Sequence, residues 1–437
     1  MKENVFNRNL LKFIKHSPTP FHAVAQMVEM LDGYGYVRLR EGDAWKLEKM
    51  GRYYVTRNDS ALIAFTAGGL DWPRSGIRMV GAHTDSPCLK VKPRPEMLRH
   101  SFLQLGVEVY GGALLNPWFD RDLSLAGRVT VLTAAGTIKN VLCDFGDPVA
   151  VIPSLAIHLD REANKDKSVN PQEELPPLLL QMDEDARSDL FFRDILLDRL
   201  KRADPTLDAV EVLDFEISLY DTHPPALAGL NRDFIVGARL DNLLSCYTGL
   251  AALLASSGKQ PALLVCNDHE EVGSASTTGA QGTFLEALLT RILPAPEDRL
   301  RALDRSMMVS ADAAHGIHPN YTGKYDGNHG PLLNRGPVVK INAGKRYATD
   351  SETAAVFRCV AHRLEIPVQD FVMRSDLACG STIGPLTATR IGVRTVDAGV
   401  PIFAMHSIRE TAGAHDGYHL FRVIHAFFQT EDLSAPA

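Results

Sequence analysis

The stretch Ala262-Leu263-Leu264-Val265-Cys266-Asn267-Asp268-His269-Glu270-Glu271-Val272-Gly273-Ser274 decides the fold. A continuous apolar run with β-forming residues stops at a cluster of polar ones, four of them acidic or imidazole. Runs of this kind suit a strand buried on both faces. Open α/β sheets place their chemistry just beyond the carboxyl ends of such strands. Glu270 and Glu271 stand side by side at that spot. On an extended chain neighbouring side chains point opposite ways, so one carboxylate is free to ligate a metal while the other handles a proton. An acidic pair at a strand end is also a common solvated loop, so the reading needs support from elsewhere in the chain.

That support comes from other strand ends. Ile77 to Ala82 reads as a strand and runs into His83-Thr84-Asp85-Ser86-Pro87. Alternation puts His83 and Asp85 on one side, as in a metal ligand whose second ring nitrogen is held by a carboxylate. Phe234 to Leu240 leads into Asp241, where a helix follows to about Ser256. Locally Asp241 reads as a helix cap, with a metal-bridging role as the alternative. Met307 to Ser310 ends at Asp312, and Pro401 to Met405 ends at His406. A helix with a Ser cap is expected from Ser351 to Leu364, and another from Gly417 to Phe428. Alternating strands and helices imply an α/β fold with a mixed, mostly parallel twisted sheet flanked by helices. Its strand ends then bring two histidines, three carboxylates and one spare carboxylate to one rim. This set matches a two-metal hydrolytic site with a separate proton-transfer group. Oxygen and nitrogen donors suit Zn, Co or Mn.

The bulk numbers set the frame. The 437 residues suffice for two domains or for one large domain with an insertion. Hydrophobic content of 45% and charged content of 23% are those of an ordinary globular chain. A net charge of -7 argues against nucleic acid as a partner. No apolar run approaches a membrane span. Six cysteines without a C-x-x-C pair, and a start without a signal-peptide core, lead to the expectation of a cytoplasmic protein. Between about Lys92 and Phe234 the texture changes to short β-like runs broken by Gly and Pro, with a polar excursion from Arg161 to Asp189. The expected division is a catalytic domain formed by 1–92 together with 235–437, interrupted by an inserted β-rich domain over 93–234.

Five motifs carry a resemblance. Glu-Glu-Val-Gly-Ser, His-Thr-Asp-Ser-Pro, Arg-Leu-Asp-Asn, Ser-Ala-Asp-Ala-Ala-His and Met-His-Ser-Ile-Arg-Glu resemble the motifs of the aspartyl aminopeptidase family of co-catalytic two-metal metalloaminopeptidases, a likeness that runs from about Phe13 to Phe428 in the family's order. Ser-Pro-Thr-Pro-Phe-His-Ala-Val and Cys-Gly-Ser-Thr-Ile-Gly-Pro add to it. The resemblance implies that His83 and Asp312 hold one metal, Glu271 and His406 the other, and that Asp241 bridges. It implies Glu270 as general base and acid, and Asp85 as the brace of His83. It makes Lys340 a cation for an acidic substrate side chain, against the plain alternative of an edge-strand lysine. It makes His158 a residue reaching a neighbouring subunit's site, against the alternative of a core histidine. It implies release of N-terminal Asp or Glu from peptides by metal-activated water. It also implies that the insertion is a dimerisation domain and that the chain forms a homo-oligomer, a dodecamer built from dimers. The rivals are a leucine-type, neutral preference and a metal-stabilised assembly protein without turnover.

Overall fold

The computed structural model describes residues 1–165, 168–182 and 191–434. Two compact units emerge, one comprising 1–86, 225–405 and 410–437, the other 87–224 and 406–409.

The first unit is built on a nine-stranded sheet. Its strands are β1 (Val37–Arg38), β2 (Arg52–Arg57), β3 (Ala61–Thr66), β4 (Arg78–His83), β5 (Ala262–Asn267), β6 (Met307–Ala311), β7 (Val338–Ile341), β8 (Gln369–Val372) and β9 (Arg394–Gly399). Their spatial order is β1-β2-β3-β5-β4-β6-β9-β7-β8. The pairs β5–β4, β4–β6 and β6–β9 at the centre are parallel, while β3–β5 and β9–β7 are antiparallel. The sheet is therefore mixed and mostly parallel, with helices on its faces. Strand alternation explains why it is buried on both sides. Ala262, Leu264 and Cys266 of β5 join one apolar cluster, with Val80 and Ala82 of β4 and Met307 and Val309 of β6. Leu263 and Val265 join the other, with Met79 and Met308. The helix Leu240–Ala255 lies in the first cluster and is buried along nearly its whole length, beside the helix Asp416–Gln429. The helix Phe284–Ile292 supplies Phe284, Leu288 and Leu289 to the second. The helix Ser351–Arg363 is capped by Asp350, not by Ser351: Asp350 Oδ1 accepts the Thr353 N–H at 2.8 Å, and the Thr353 hydroxyl answers the Asp350 N–H.

The second unit is a six-stranded antiparallel sheet. From one edge its strands are Ile138–Asp144, Leu123–Thr133, Ala209–Asp221, Cys88–Arg99, Phe102–Tyr110 and Leu178–Gln181. Leu105, Leu125, Val129 and Leu219 form its core with Phe192, Leu196 and Leu200 of the helix Phe192–Ala203. The strand Cys88–Arg99 was not anticipated, because Pro93 and Pro95 interrupt its pattern. They sit where the pairing with Phe102–Tyr110 shifts register, between Val91 and Glu96, a place where a strand tolerates proline. Because Cys88–Arg99 pairs within this sheet, the border of the unit falls at 86/87, ahead of the expected 92/93. Because Ala226–Ala228 pairs with Phe234–Gly237 in the first unit, the other border falls at 224/225, ahead of 234/235. The polar excursion Arg161–Asp189 contains the strand Leu178–Gln181, and its residues 166–167 and 183–189 lie outside the described residues.

Candidate metal centre

Four strand ends of the first unit deliver the site. β4 ends at His83, which stands beside Asn267 at the end of β5. Beyond β5 the chain turns at His269, whose φ of 63° is left-handed, a conformation for which His is among the more tolerant residues. The chain then enters a 3-10 turn, Glu270–Val272. Glu270 and Glu271 are therefore not on extended backbone, and the argument from opposite-pointing neighbours does not apply. Both reach toward His83, each offering a ligand atom within 4.8 Å of the others. Asp312 follows β6, and Gly399 of β9 passes so close to the Asp312 carbonyl that a Cβ would stand 1.7 Å from it. That glycine is what allows the two strands to approach at the site.

Asp85 organises the centre. Its two carboxylate oxygens accept the backbone N–H groups of Glu270 and Glu271, at 3.1 Å each. The His83 Nδ1 lies 3.0 Å from the Asp85 carbonyl and 3.3 Å from its Oδ1. Holding Nδ1 in this way turns Nε2 toward Asp241 Oδ1 and Asp312 Oδ1, each 3.5 Å away. Those separations exceed good hydrogen bonds. They leave an imidazole nitrogen and two carboxylate oxygens facing a common point, all within 4.8 Å. Asp241 does not cap its helix. Its backbone is non-helical, its side chain faces His83, and its N–H donates to Glu410 Oε2 at 2.9 Å. Glu410 is 1% exposed. Its role was missed, although it closes the motif Met-His-Ser-Ile-Arg-Glu, because its partner lies 169 residues away.

The cluster concentrates carboxylates in a confined space. Burial raises the Glu270 carboxyl to about 7, helped by Asp312, Asp241 and Asp85 and opposed by His83. Glu271 is pushed well above the usual carboxylate range by burial and then by Asp241. Burial alone would lower His83, but Asp241, Asp312 and Asp85 outweigh it and hold the ring well above its ordinary value. Several carboxylates crowded into a buried space repel one another, and a divalent ion relieves that repulsion. The donor set of imidazole nitrogen and carboxylate oxygens fits zinc.

Lys340 departs from expectation. Its strand, β7, lies between β9 and β8 and is not an edge. Its ammonium has internal acceptors. Nζ donates to Asp312 Oδ2 and to the Ala313 carbonyl, at 3.0 Å each, because a buried ammonium requires acceptors. His158 and His406 belong to the second unit. His158 is exposed, not a core histidine. The His406 Nδ1 lies 3.2 Å from the Gly112 carbonyl. His22 shares a hydrogen bond with the Thr19 hydroxyl at 2.8 Å.

A mixed α/β sheet with a buried acidic and imidazole cluster at its strand ends defines the class of metal-dependent hydrolases. The family described as Aminopeptidase I zinc metalloprotease (M18) matches residues 13–428. The chain is 59% identical over 430 residues to "Probable M18 family aminopeptidase 2" of Pseudomonas entomophila (strain L48), covering 98% of this chain and 99% of that protein. Among solved structures, the Ape4 and Nbr1 complex superposes with a TM-score of 0.93 at 38% identity, over 98% of this chain and 86% of that one. The dodecamer of S. cerevisiae mApe1 superposes with a TM-score of 0.84 at 27% identity, over 98% of this chain and 97% of that one. This chain belongs to the M18 aminopeptidase family, zinc metalloproteases that hydrolyse N-terminal peptide bonds.

Proposed function

We propose that this chain is a two-zinc aminopeptidase in which Glu270 moves the proton. The observation that carries the reading is the convergence of His83 Nε2, Asp241 and Asp312 beside a Glu270–Glu271 turn whose backbone is clamped by Asp85. His83 and Asp312 would hold one ion, Glu271 and His406 the other, with Asp241 shared between them. When bound, the ions supply Lewis acidity toward the scissile carbonyl and toward water. Asp85 fixes the His83 ring and the Glu270 backbone, so both groups are set before substrate arrives. Glu270, the carboxylate left over once the ligands are assigned, stands beside them to take a proton from the attacking water. It then delivers that proton to the leaving amine. A purely structural metal site has no use for this extra carboxylate, which weighs against an assembly protein without turnover.

Selectivity for N-terminal Asp or Glu is the finer part of the proposal, supported by the motifs. A second reading, preference for neutral residues, is favoured by one observation: the Lys340 ammonium is already bonded to Asp312 and Ala313. We extend the proposal to a cytoplasmic homo-oligomer, a dodecamer built from dimers through the second unit, with His158 acting on a neighbour. Support comes from the apolar side chains exposed around His158, with Leu155, Ile157 and Leu159 at 56%, 47% and 76% exposure. Further support is the dodecamer of the S. cerevisiae relative. All six cysteines are free thiols, in keeping with a reducing compartment, and no described helix is long and apolar enough to cross a membrane. The test is kcat/KM on matched aminoacyl substrates carrying Asp, Glu, Asn, Leu and Ala, with zinc-loaded protein. Asp and Glu leading the series supports the acidic reading. Leu or Ala leading selects the neutral one, and no turnover on any substrate contradicts both.

A further inference from the structure

The two carboxylate oxygens of Asp312 have different neighbours. Oδ1 faces His83 Nε2 at 3.5 Å, and Oδ2 takes the Lys340 ammonium at 3.0 Å. Lys340 is 2% exposed. Its Nζ is fixed from a second side by the Ala313 carbonyl at 3.0 Å, and it lies 5.1 Å from the centre of the Tyr347 ring. The ammonium is therefore anchored by groups other than Asp312. We propose that Lys340 weakens the ion bound through His83 and Asp312, making it the exchangeable ion of the pair; this rests on the two-ion reading above.

Two physical effects act in the same direction. The first is geometric: with Oδ2 committed to Lys340, Asp312 has one oxygen left for an ion. The second is electrostatic. A fixed positive charge in direct contact with the ligand repels a dication, and burial prevents salt from screening it. The ammonium also neutralises much of the charge with which Asp312 would attract the ion. Asp397 also faces Lys340, but it is engaged by the Thr382 hydroxyl at 2.6 Å and by the Ala348 N–H at 2.6 Å. It tempers the repulsion from its own side of the ammonium without supplying a ligand to the ion.

The experiment measures metal rather than turnover. Full-length protein loaded with zinc is equilibrated against a series of zinc buffers, and zinc per chain is determined by elemental analysis. Crystals grown at limiting zinc locate the remaining ion by anomalous scattering at the zinc edge. The wild type should release zinc in two steps, with the position beside His83 and Asp312 emptying first. In Lys340→Met that position should bind zinc about 10-fold more tightly or better, drawing the two steps together. Lys340→Gln should behave in the same way. Unchanged or weaker zinc binding in these variants would mean that Lys340 supports the ligand, and would overturn the proposal. Should the variants not fold, the order of release in the wild type decides: simultaneous loss, or persistence of the ion beside Asp312, overturns it. Failure of the wild type to bind any zinc would overturn the two-ion reading itself, and this inference with it.

Discussion

Along β6 and into Asp312 every residue is buried, and the chain ends on a carboxylate held between an imidazole and an ammonium. Along the outer strand of the second unit, Ile138–Asp144, the side chains are mostly exposed, with Ile138 70% and Leu142 40% accessible. One region hides charge and the other displays apolar surface. Each arrangement is costly alone, since buried charge must be paired and exposed apolar area gains by being covered. The remedies differ. The rim of the large sheet meets its cost with internal partners and, on the function proposed above, a cation, whereas the proposed assembly would cover the outer face of the antiparallel sheet with a second chain.

The largest effect is expected at the rim. Glu270→Gln keeps the shape of the side chain and removes its proton-accepting capacity, so kcat should fall about 10²–10⁴-fold while zinc content is retained. Steady-state kinetics with parallel metal analysis checks this, and near-normal turnover at full zinc occupancy would refute the role of Glu270. The same cluster sets a pH dependence in the metal-free protein. Glu270 rises from 4.5 to about 7 on folding, so the folded chain holds a proton through that window that the unfolded chain has lost, and stability falls as pH rises across it. His83 is raised above 6.5, so its contribution is complete below that value and is lost as pH climbs through the folded one. Both act in one direction. The Tm of metal-free protein should drop between pH 5 and pH 8, and saturating zinc should flatten the slope; a flat or rising Tm without zinc would show that the cluster is not strained.

At the exposed apolar segment around His158, Ile157→Asp with Leu159→Asp should shift the protein toward smaller species in light scattering while leaving the Tm nearly unchanged. An unaltered mass would show that the interface lies elsewhere. The smallest effect is at the helix Ser351–Arg363, where Asp350→Ala removes the capping box and should cost about 1 kcal/mol. Chemical denaturation should register this with zinc affinity unchanged, and a zinc effect would mean that the cap reaches the rim.

What was legible in the sequence followed from local periodicity. Unbroken apolar runs identified β4, β5 and β6, and the polar residues after them identified His83, Glu270, Glu271 and Asp312 as neighbours in space. What was not legible depended on distant partners or on irregular backbone. The separation of 28 positions between Asp312 and Lys340 concealed their ion pair. The Asp241–Glu410 contact was concealed in the same way. Glu270 and Glu271 read as extended because nothing local announced the 3-10 turn. Pro93 and Pro95 disguised a strand, since a register shift shows only once its partner is in place.

The central claim is that the buried cluster of His83, Asp241, Glu271 and Asp312 works through bound zinc. The most direct measurement is turnover of an aminoacyl substrate as metal-free protein is titrated with zinc, with bound zinc counted at each point. Turnover should be absent without metal and should rise to a plateau by about two ions per chain. Full turnover in protein shown to hold no metal would contradict the account.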